Sequence, residues 1–362
     1  MVTESATWDY RDRFYEDFGR TYFRRYGDGL VSSIGLGTYL GAPTDEVDER
    51  YVHAIEHALE LGCNVIDTAI NYRHQRSERA VGRAVEQTDV DRDAIFVSTK
   101  GGFVPFDRDR PNNPGAYVKE TYVDTGAIER DDLVAGSHCI APNYIEGQLD
   151  RSLENLGLDS IDCYYVHNPE TQLRERSPEA VYDQLEDTFT RLEKRAAVGD
   201  IDHYGLATWD AFRVPADHPS HLSIAQIVDR ARAAAREAGT GGTHFRAIQL
   251  PFNVAMADAF TVESQAGADG TQSVLWFAAN AGLDVFTSAS IAQGELLEEL
   301  PEGVAAVLEG ETTVQRAINF ARSAPGVTSS LVGMSRPAHV EENVGAGRYD
   351  PLGAQTFDDV FE

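Results

Sequence analysis

Three short apolar runs, Asn64–Ile66, Ala94–Thr99 and Ile161–Val166, each end at a polar side chain and then pass into a helical stretch. Apolar runs of this length, bounded by turn residues, read as buried strands. The alternation recurs along the chain. A first strand ends at Gly35-Leu36-Gly37-Thr38, with a helix over Glu46–Leu61. Asn64–Ile66 precedes a helix over Ser77–Val85, and Ala94–Thr99 one that begins only near Pro142. Ile161–Val166 pairs with Pro178–Ala197, Ile201–Ala207 with Ser223–Ala238, and Arg246–Leu250 with Thr271–Ala281. Leu283–Ser288 and Thr328–Val332 complete the strands, with helices over Thr312–Ser323 and from near Pro337, a residue suited to a first turn. Eight such units without a break in composition predict an α/β fold, a (β/α)8 TIM barrel.

Ahead of the barrel, Tyr10, Phe14 and Phe18 fall at helical spacing, so Thr7–Phe18 reads as an amphipathic helix packed on the body. Tyr22–Ser33 reads as a β-hairpin turning at Gly27-Asp28-Gly29. The expected organisation is an N-terminal helical extension over 1–20 and a single barrel domain over 21–350, with an insertion at about 101–141. That insertion, rich in Pro, Gly, Asp and Arg, is too long for a plain connection. At the catalytic end of a barrel it is expected to line the substrate mouth with Arg108, Arg110, Tyr117 and His138.

Charge narrows the possible partners. A formal net charge of −28, from 59 acidic and 31 basic residues, argues against nucleic acid and anionic membranes. The acids concentrate in stretches such as Asp45–Glu60 and Glu295–Glu309, the pattern of a solvated shell, which a salt-rich cytoplasm screens. Cys63, Cys139 and Cys163 are odd in number and lack metal-ligand spacing; Cys63 and Cys163 at strand starts read as small buried hydrophobes in a reducing compartment. No metal site is expected. No apolar stretch reaches transmembrane length, and the N-terminal residues are acidic and aromatic rather than signal-like, so a cytoplasmic location is expected.

The chemistry lies at the strand ends. Asp67, Tyr72, Lys100 and His167 supply a carboxylate, a phenol, an ammonium and an imidazole at or just past the C-terminal ends of successive strands. In a parallel barrel those ends form one face, where residues distant in sequence converge. Singly, each has an ordinary structural role as a turn cap, a surface aromatic, a solvated charge or a buried histidine. Together they track strand termini, which surface charge has no reason to do. A phenol beside an ammonium and an imidazole is a candidate general acid for carbonyl reduction.

These strings resemble the aldo-keto reductase superfamily over nearly the whole chain, from about Tyr22 to Val344. The marks are Gly35-Leu36-Gly37-Thr38, Asp67-Thr68-Ala69-Ile70-Asn71-Tyr72 with Ser77-Glu78, and Ser98-Thr99-Lys100. Further along stand Leu153 through Asp159, Ile161-Asp162, Tyr165-Val166-His167, Gln249, Val332-Gly333 and Glu341-Glu342-Asn343. The charge pattern adds a haloarchaeal-type acidic character. The resemblance implies that Asp67, Tyr72, Lys100 and His167 form a catalytic tetrad, with Tyr72 the acid, Lys100 lowering its pKa, Asp67 holding the lysine and His167 orienting the carbonyl. It also implies a hydride from a nicotinamide cofactor, NADP with NAD as the other possibility.

By the same resemblance Gly37, Thr38, Asp67, Thr208, Gln249 and Ser288 belong to the nicotinamide end of the site. Gly294 and Leu296 belong to the pyrophosphate-side loop. Gly333, Arg336, His339, Glu342 and Asn343 belong to the adenine end, with Arg336 and His339 near a 2′-phosphate. Two departures are visible: Ala207-Thr208 replaces a Ser-Asn pair, and Ser288-Ala289-Ser290-Ile291 replaces a string that opens with a stacking aromatic. The implied activity is reduction of an aldehyde or ketone by a monomer or small homo-oligomer acting on a small molecule. A cofactor-binding regulatory subunit of the same fold is the alternative from a non-catalytic class. A Schiff-base lyase or isomerase built on Lys100 fits Asp67 and Tyr72 poorly, since such a lysine needs apolar or cationic neighbours.

Overall fold

Apolar runs become strands here because successive side chains point alternately into a barrel and out against helices, so both faces are buried. The computed structural model describes residues 1–267, 270–295 and 300–361. Helix α1 (Glu4–Phe14) and an antiparallel hairpin, β1 (Phe23–Tyr26) with β2 (Gly29–Ser32), precede the barrel. The barrel opens with β3 (Ile34–Gly37) and α2 (Asp45–Glu60), β4 (Val65–Asp67) and α3 (Arg76–Gln87), then β5 (Phe96–Gly101). The insertion after β5 carries the short α4 (Pro114–Val118), and α5 (Pro142–Leu156) leads to β6 (Ile161–His167) and α6 (Pro178–Val198). Strand β7 (Ile201–Ala207), α7 (Ile224–Ala238) and β8 (Phe245–Pro251) follow. A short α8 (Asp258–Thr261) and a hairpin of β9 (Gln265–Gly267) with β10 (Gly270–Gln272) stand before α9 (Val274–Ala281) and β11 (Asp284–Ser288). Helices α10 (Glu302–Val307) and α11 (Thr313–Ser323), strand β12 (Val327–Gly333), and helices α12 (Pro337–Gly345) and α13 (Ala354–Asp359) complete the chain.

Strands β3 to β8, β11 and β12 form a closed parallel barrel in chain order, as the eight-unit pattern predicts. The ring is sealed where β12 pairs with β3, from Ser330 opposite Ile34 to Gly333 opposite Gly37. Alternation sets the interior. Val65, Phe96, Cys163, Tyr165, Ala247, Phe286 and Leu331 fill it, and Tyr26 and Val31 of the hairpin plug its lower end. The Tyr26 ring meets Phe96 at 4.8 Å, and Phe96 stacks on Phe286 at 5.2 Å. Gly35 faces inward where a Cβ would lie 2.7 Å from both Val65 and Leu331, so no larger residue fits between them.

Some elements differ from the sequence expectation. The helix expected over Thr7–Phe18 occupies Glu4–Phe14, because Thr3 caps it by accepting from the Ala6 N–H; Phe18 lies beyond its end, stacked on Tyr22 at 3.8 Å. The helix of the sixth unit begins at Val274 rather than Thr271, since Ser273 caps it and the residues before form β9 and β10. Of the acidic stretch Glu295–Glu309, only Glu302–Val307 is helical among the described residues. All three cysteines are buried and free. Among the described residues no helix is long and apolar enough to cross a membrane.

Candidate functional site

The inward half of each strand carries the site. On β5, Phe96, Ser98 and Lys100 share the face that points into the barrel, while Thr99 points outward and donates to Glu78 Oε1 of α3 at 2.7 Å. Lys100 is thus placed above a packed apolar layer with no route to water, and its side chain is 0% exposed. Asp67 ends β4 opposite Ser98. Lys100 Nζ donates to Asp67 Oδ2 at 2.5 Å and to the Thr68 carbonyl at 2.7 Å. Asp67 Oδ1 accepts from Ser98 Oγ and from Gln249 Nε2, each at 2.8 Å. With three side-chain donors on it, this carboxylate is fixed in place and in turn fixes the lysine. Burial nevertheless pulls the Lys100 ammonium below its ordinary pKa, against the pull of Asp67.

Tyr72 stands on the loop after β4. The three residues that follow, Arg73, His74 and Gln75, all have left-handed backbones, with φ of 48°, 60° and 67°. Each left-handed non-glycine residue costs roughly 1 kcal/mol, and side-chain anchors hold the run. Arg73 pairs with Asp48 and donates to the Ala42 carbonyl at 3.1 Å, while Gln75 donates to the Phe106 carbonyl at 2.9 Å. The Tyr72 ring lies between Tyr39, 5.0 Å away, and His167, 6.0 Å away, with Lys100 Nζ 4.9 Å from its centroid. The ammonium therefore faces the ring with two of its three protons committed to Asp67 and Thr68. The net direction is opposite to the one expected from Lys100 alone: burial, aided by Asp67 and Tyr39, raises the phenol's pKa well above the ordinary value. Tyr72 is a phenol that keeps its proton. His167, at the end of β6, is held well below its usual pKa by burial, with Lys100 and His138 adding to the effect, and is a neutral imidazole.

These groups form the floor of a cavity of about 850 Å³ that runs across the C-terminal ends of the strands. Asp67, Tyr72 and His167 line it; Lys100 lies beneath. Gly37, Thr38, Thr208, Gln249, Ser288, Gly294, Gly333, His339, Glu342 and Asn343 line it as well, so most residues named from the sequence meet in one space. Arg336 does not. It is the N-cap residue of α12, extended at φ −147°, and is exposed outside the lining. Leu296 lies outside the described residues.

The insertion is a further correction. Of its residues only Phe103 reaches the cavity; Arg108, Arg110 and Tyr117 do not. It builds instead a small core of its own, in which Val104, Val118, Ile128 and Cys139 pack with Tyr144 of α5, and His138 is buried behind His167. Tyr39, Leu40, Asn71, Asn168, Trp209 and Ser335 also line the cavity and were not singled out in the sequence, although each adjoins or nearly adjoins a residue that was. Glu170, two residues from that lining, is buried with its pKa pushed up to about 7 by desolvation. Its Oε1 accepts the backbone N–H groups of Trp209 and Asp210 at 2.7 and 3.1 Å.

The cavity fits an elongated ligand with an amide at one end and an anion near the other. Gln249 spends its Nε2 on Asp67, and no hydrogen bond among the described residues uses its Oε1, which an amide N–H can fill. Asn71 Oδ1 is buried in the same wall without a partner among the described residues. Helix α12 starts at Pro337, which has no N–H, and its His339 N–H is bonded to the Arg336 carbonyl at 3.0 Å, so among the described residues the Ala338 N–H is the first-turn donor left for an anion.

Comparison with known proteins agrees with this geometry. The chain is 25% identical over 337 residues to a putative voltage-gated potassium channel subunit beta of Schizosaccharomyces pombe, covering 87% of this chain and 84% of that protein. It is 29% identical over 193 residues to the aldo-keto reductase yakc [NADP(+)] of the same yeast, covering 52% of this chain and 46% of that protein. Among solved structures it resembles the holo form of aldo-keto reductase AKR11C1 from Bacillus halodurans, with TM-score 0.64 and 21% identity over 94% of this chain and 95% of the other. An aldo/keto reductase from Klebsiella pneumoniae, in complex with NADP and acetate, superposes with TM-score 0.61 at 19% identity, covering 94% of each chain. The model of the Aldo/keto reductase family matches residues 33–216, the stretch that carries Asp67, Tyr72, Lys100 and His167, and the chain belongs to that family.

Proposed function

We propose that this chain is an NAD(P)H-dependent oxidoreductase that reduces an aldehyde or ketone to an alcohol, with Tyr72 as the general acid. The observation that carries the reading is the convergence of Asp67, Tyr72, Lys100 and His167 at the floor of one large cavity. A reduced nicotinamide, when bound, supplies the hydride that the carbonyl carbon accepts. The protein's part is the proton and the geometry. Tyr72 gives its phenolic proton to the carbonyl oxygen as negative charge develops there, and the phenolate is reprotonated from solvent. The Lys100 ammonium, 4.9 Å from the ring, favours that phenolate once it forms. Neutral His167 hydrogen-bonds the same oxygen and aligns it. Burial raises the phenol's pKa, so Tyr72 holds its proton until negative charge develops on the carbonyl oxygen.

Gln249, Thr208 and Asn71 would hold the carboxamide end, and the N-terminus of α12 with Ser335 and His339 the phosphate near the adenine end. Preference for NADP rests on His339 in the lining and on Arg336 at the rim. The test is a panel of aldehydes, ketones and sugars with each cofactor, followed by loss of the reduced nicotinamide's absorbance. The expected result is turnover of at least one carbonyl, with NADPH favoured about tenfold in kcat/KM, equivalent to about 1.4 kcal/mol, and that preference reduced in Arg336→Ala. Equal constants for the two cofactors, unchanged in Arg336→Ala, would remove the NADP assignment.

The missing aromatic at Ser288 favours a second reading, a cofactor-binding regulatory subunit of the same fold. Tight cofactor binding without turnover of any carbonyl is the outcome that selects it. For the setting we propose a salt-rich, reducing cytoplasm, supported by a net charge of −28 with only three lysines, Lys100, Lys119 and Lys194. Carboxylates that repel across a Debye length of about 10 Å at 0.1 M salt are screened within about 3 Å at 1 M. The melting temperature is therefore expected to climb from about 0.1 M to about 2 M KCl; a flat or falling curve would show that the acidic shell is no salt adaptation.

A further inference from the structure

The segment that follows β6, Asn168-Pro169-Glu170-Thr171-Gln172, and the insertion after β5 are not used in the chemistry above, yet both close on His167. Strand β5 ends at Gly101, paired with Val166, so the His167 carbonyl has no strand neighbour on that side. His138 of the insertion takes its place, with Nε2 2.7 Å from the His167 oxygen. Gln172 Nε2 donates to His138 Nδ1 at 2.7 Å, which leaves the imidazole proton on Nε2 and makes His138 the donor to His167. His138 and Gln172 are both 0% exposed. The backbone crosses directly over this bond at Gly102, φ +145°, where a Cβ would stand 2.8 Å from the His167 oxygen and 3.2 Å from His138 Nε2. Phe103 then sets its ring edge-on to both histidines, 4.8 Å from His138 and 5.1 Å from His167, and is the one insertion side chain in the cavity wall.

His167 needs such support. Its Nδ1 is buried with no partner among the described residues, so no hydrogen bond from them to that nitrogen holds the ring in place. Packing and the backbone must do so. We propose that the insertion is a buttress for the substrate-orienting imidazole: His138, its tautomer set by Gln172, and Phe103 position His167 so that its remaining N–H points at the carbonyl oxygen. The inference rests on the reductase reading for its kinetic consequence, but not for its structural one. A positioning residue acts on the geometry of the reacting groups, where small misplacements cost one to two decades in rate.

The experiment uses the full chain with His138→Leu and His138→Gln, the second of which returns an N–H donor near the same place. Histidine-selective 15N NMR follows the His167 ring, assigned with His167→Gln, while NADPH affinity and carbonyl kinetics are measured in parallel. In His138→Leu the His167 resonances are expected to move, kcat to fall about tenfold to a hundredfold, and the NADPH Kd to stay within about twofold. His138→Gln is expected to recover most of kcat. Gln172→Leu, which frees the tautomer and gives up the 3.2 Å bond to the His138 carbonyl while leaving every insertion side chain in place, is expected to give the same pattern more weakly, and decides the matter if His138→Leu does not fold. Wild-type His167 resonances in the leucine variants overturn the proposal. So does a loss of kcat matched by an equal loss of cofactor affinity and not restored by glutamine. If the wild-type chain reduces no carbonyl, the reductase reading fails, while the His167 spectra still decide for or against the buttress.

Discussion

Tyr72→Phe is expected to lower kcat by two or more decades, the usual effect of losing a positioned general acid, and to leave NADPH affinity within about twofold. Phenylalanine keeps the ring contacts with Tyr39 at 5.0 Å and Lys100 at 4.9 Å. The folded site should therefore survive, and what disappears is the proton. His167 is a poor substitute, because burial and the neighbouring Lys100 hold it neutral, and a neutral imidazole N–H orients an oxygen without protonating it. Lys100 is already committed to Asp67 and Thr68. Steady-state kinetics on the best carbonyl, with cofactor binding read by fluorescence, check the expectation. Turnover close to wild type would remove Tyr72 as the acid.

The second large effect lies outside the cavity. Arg322 of α11 is 0% exposed and pairs with no carboxylate among the described residues. Its Nε donates to Ser33 Oγ at 3.1 Å, and its Nη1 to Asn319 Oδ1 and the Ala346 carbonyl at 3.2 Å and to the Tyr349 carbonyl at 2.8 Å. Burial draws its pKa down to about 10. Two effects oppose each other in Arg322→Met. Removing a buried, unpaired charge relieves a desolvation penalty, while four acceptors lose their donor, at about 1 kcal/mol or more for each left buried. The acceptors win, because two of them are backbone carbonyls that cannot turn towards water. A net loss of about 3 kcal/mol is expected, which lowers the melting temperature by roughly 4 °C in a domain of this size. An unchanged or higher melting temperature would mean that desolvation dominates.

The barrel was legible because parallel strands buried on both faces leave uninterrupted apolar runs, and the polar residue closing each run marks the face where the site lies. Asp67, Lys100 and His167 were found that way. Thr208, Gln249, Gly333 and Asn343 came from the family resemblance. What escaped depends on the path of loops. The insertion's Arg108, Arg110 and Tyr117 were assigned to the mouth on charge and position, yet its apolar residues fold into a separate core and leave Phe103 alone in the cavity wall. Arg336 has the right chemistry one residue from the lining, a distinction that only the backbone of α12 decides. The phenol's raised pKa was equally invisible, since it depends on how deeply the folded loop buries the ring and on the approach of Asp67 and Tyr39. Nor does periodicity reveal that Arg322 reaches Ser33 across almost the whole chain.

The place where the barrel seals bears on how the protein folds. Gly37 and Gly333 face each other where β3 meets β12, and both line the cavity. The pairing joins the first barrel strand to the last, a contact of very long range whose loop-closure entropy makes it a late and slow event. No part of the chain ending before Val327 contains both walls of the cavity. A ligand lying across them touches both sides of the seam and binds only the closed ring, so it favours closure by mass action. In kinetic terms, the site completes itself with the last step of folding, and its occupant is a staple across the final join.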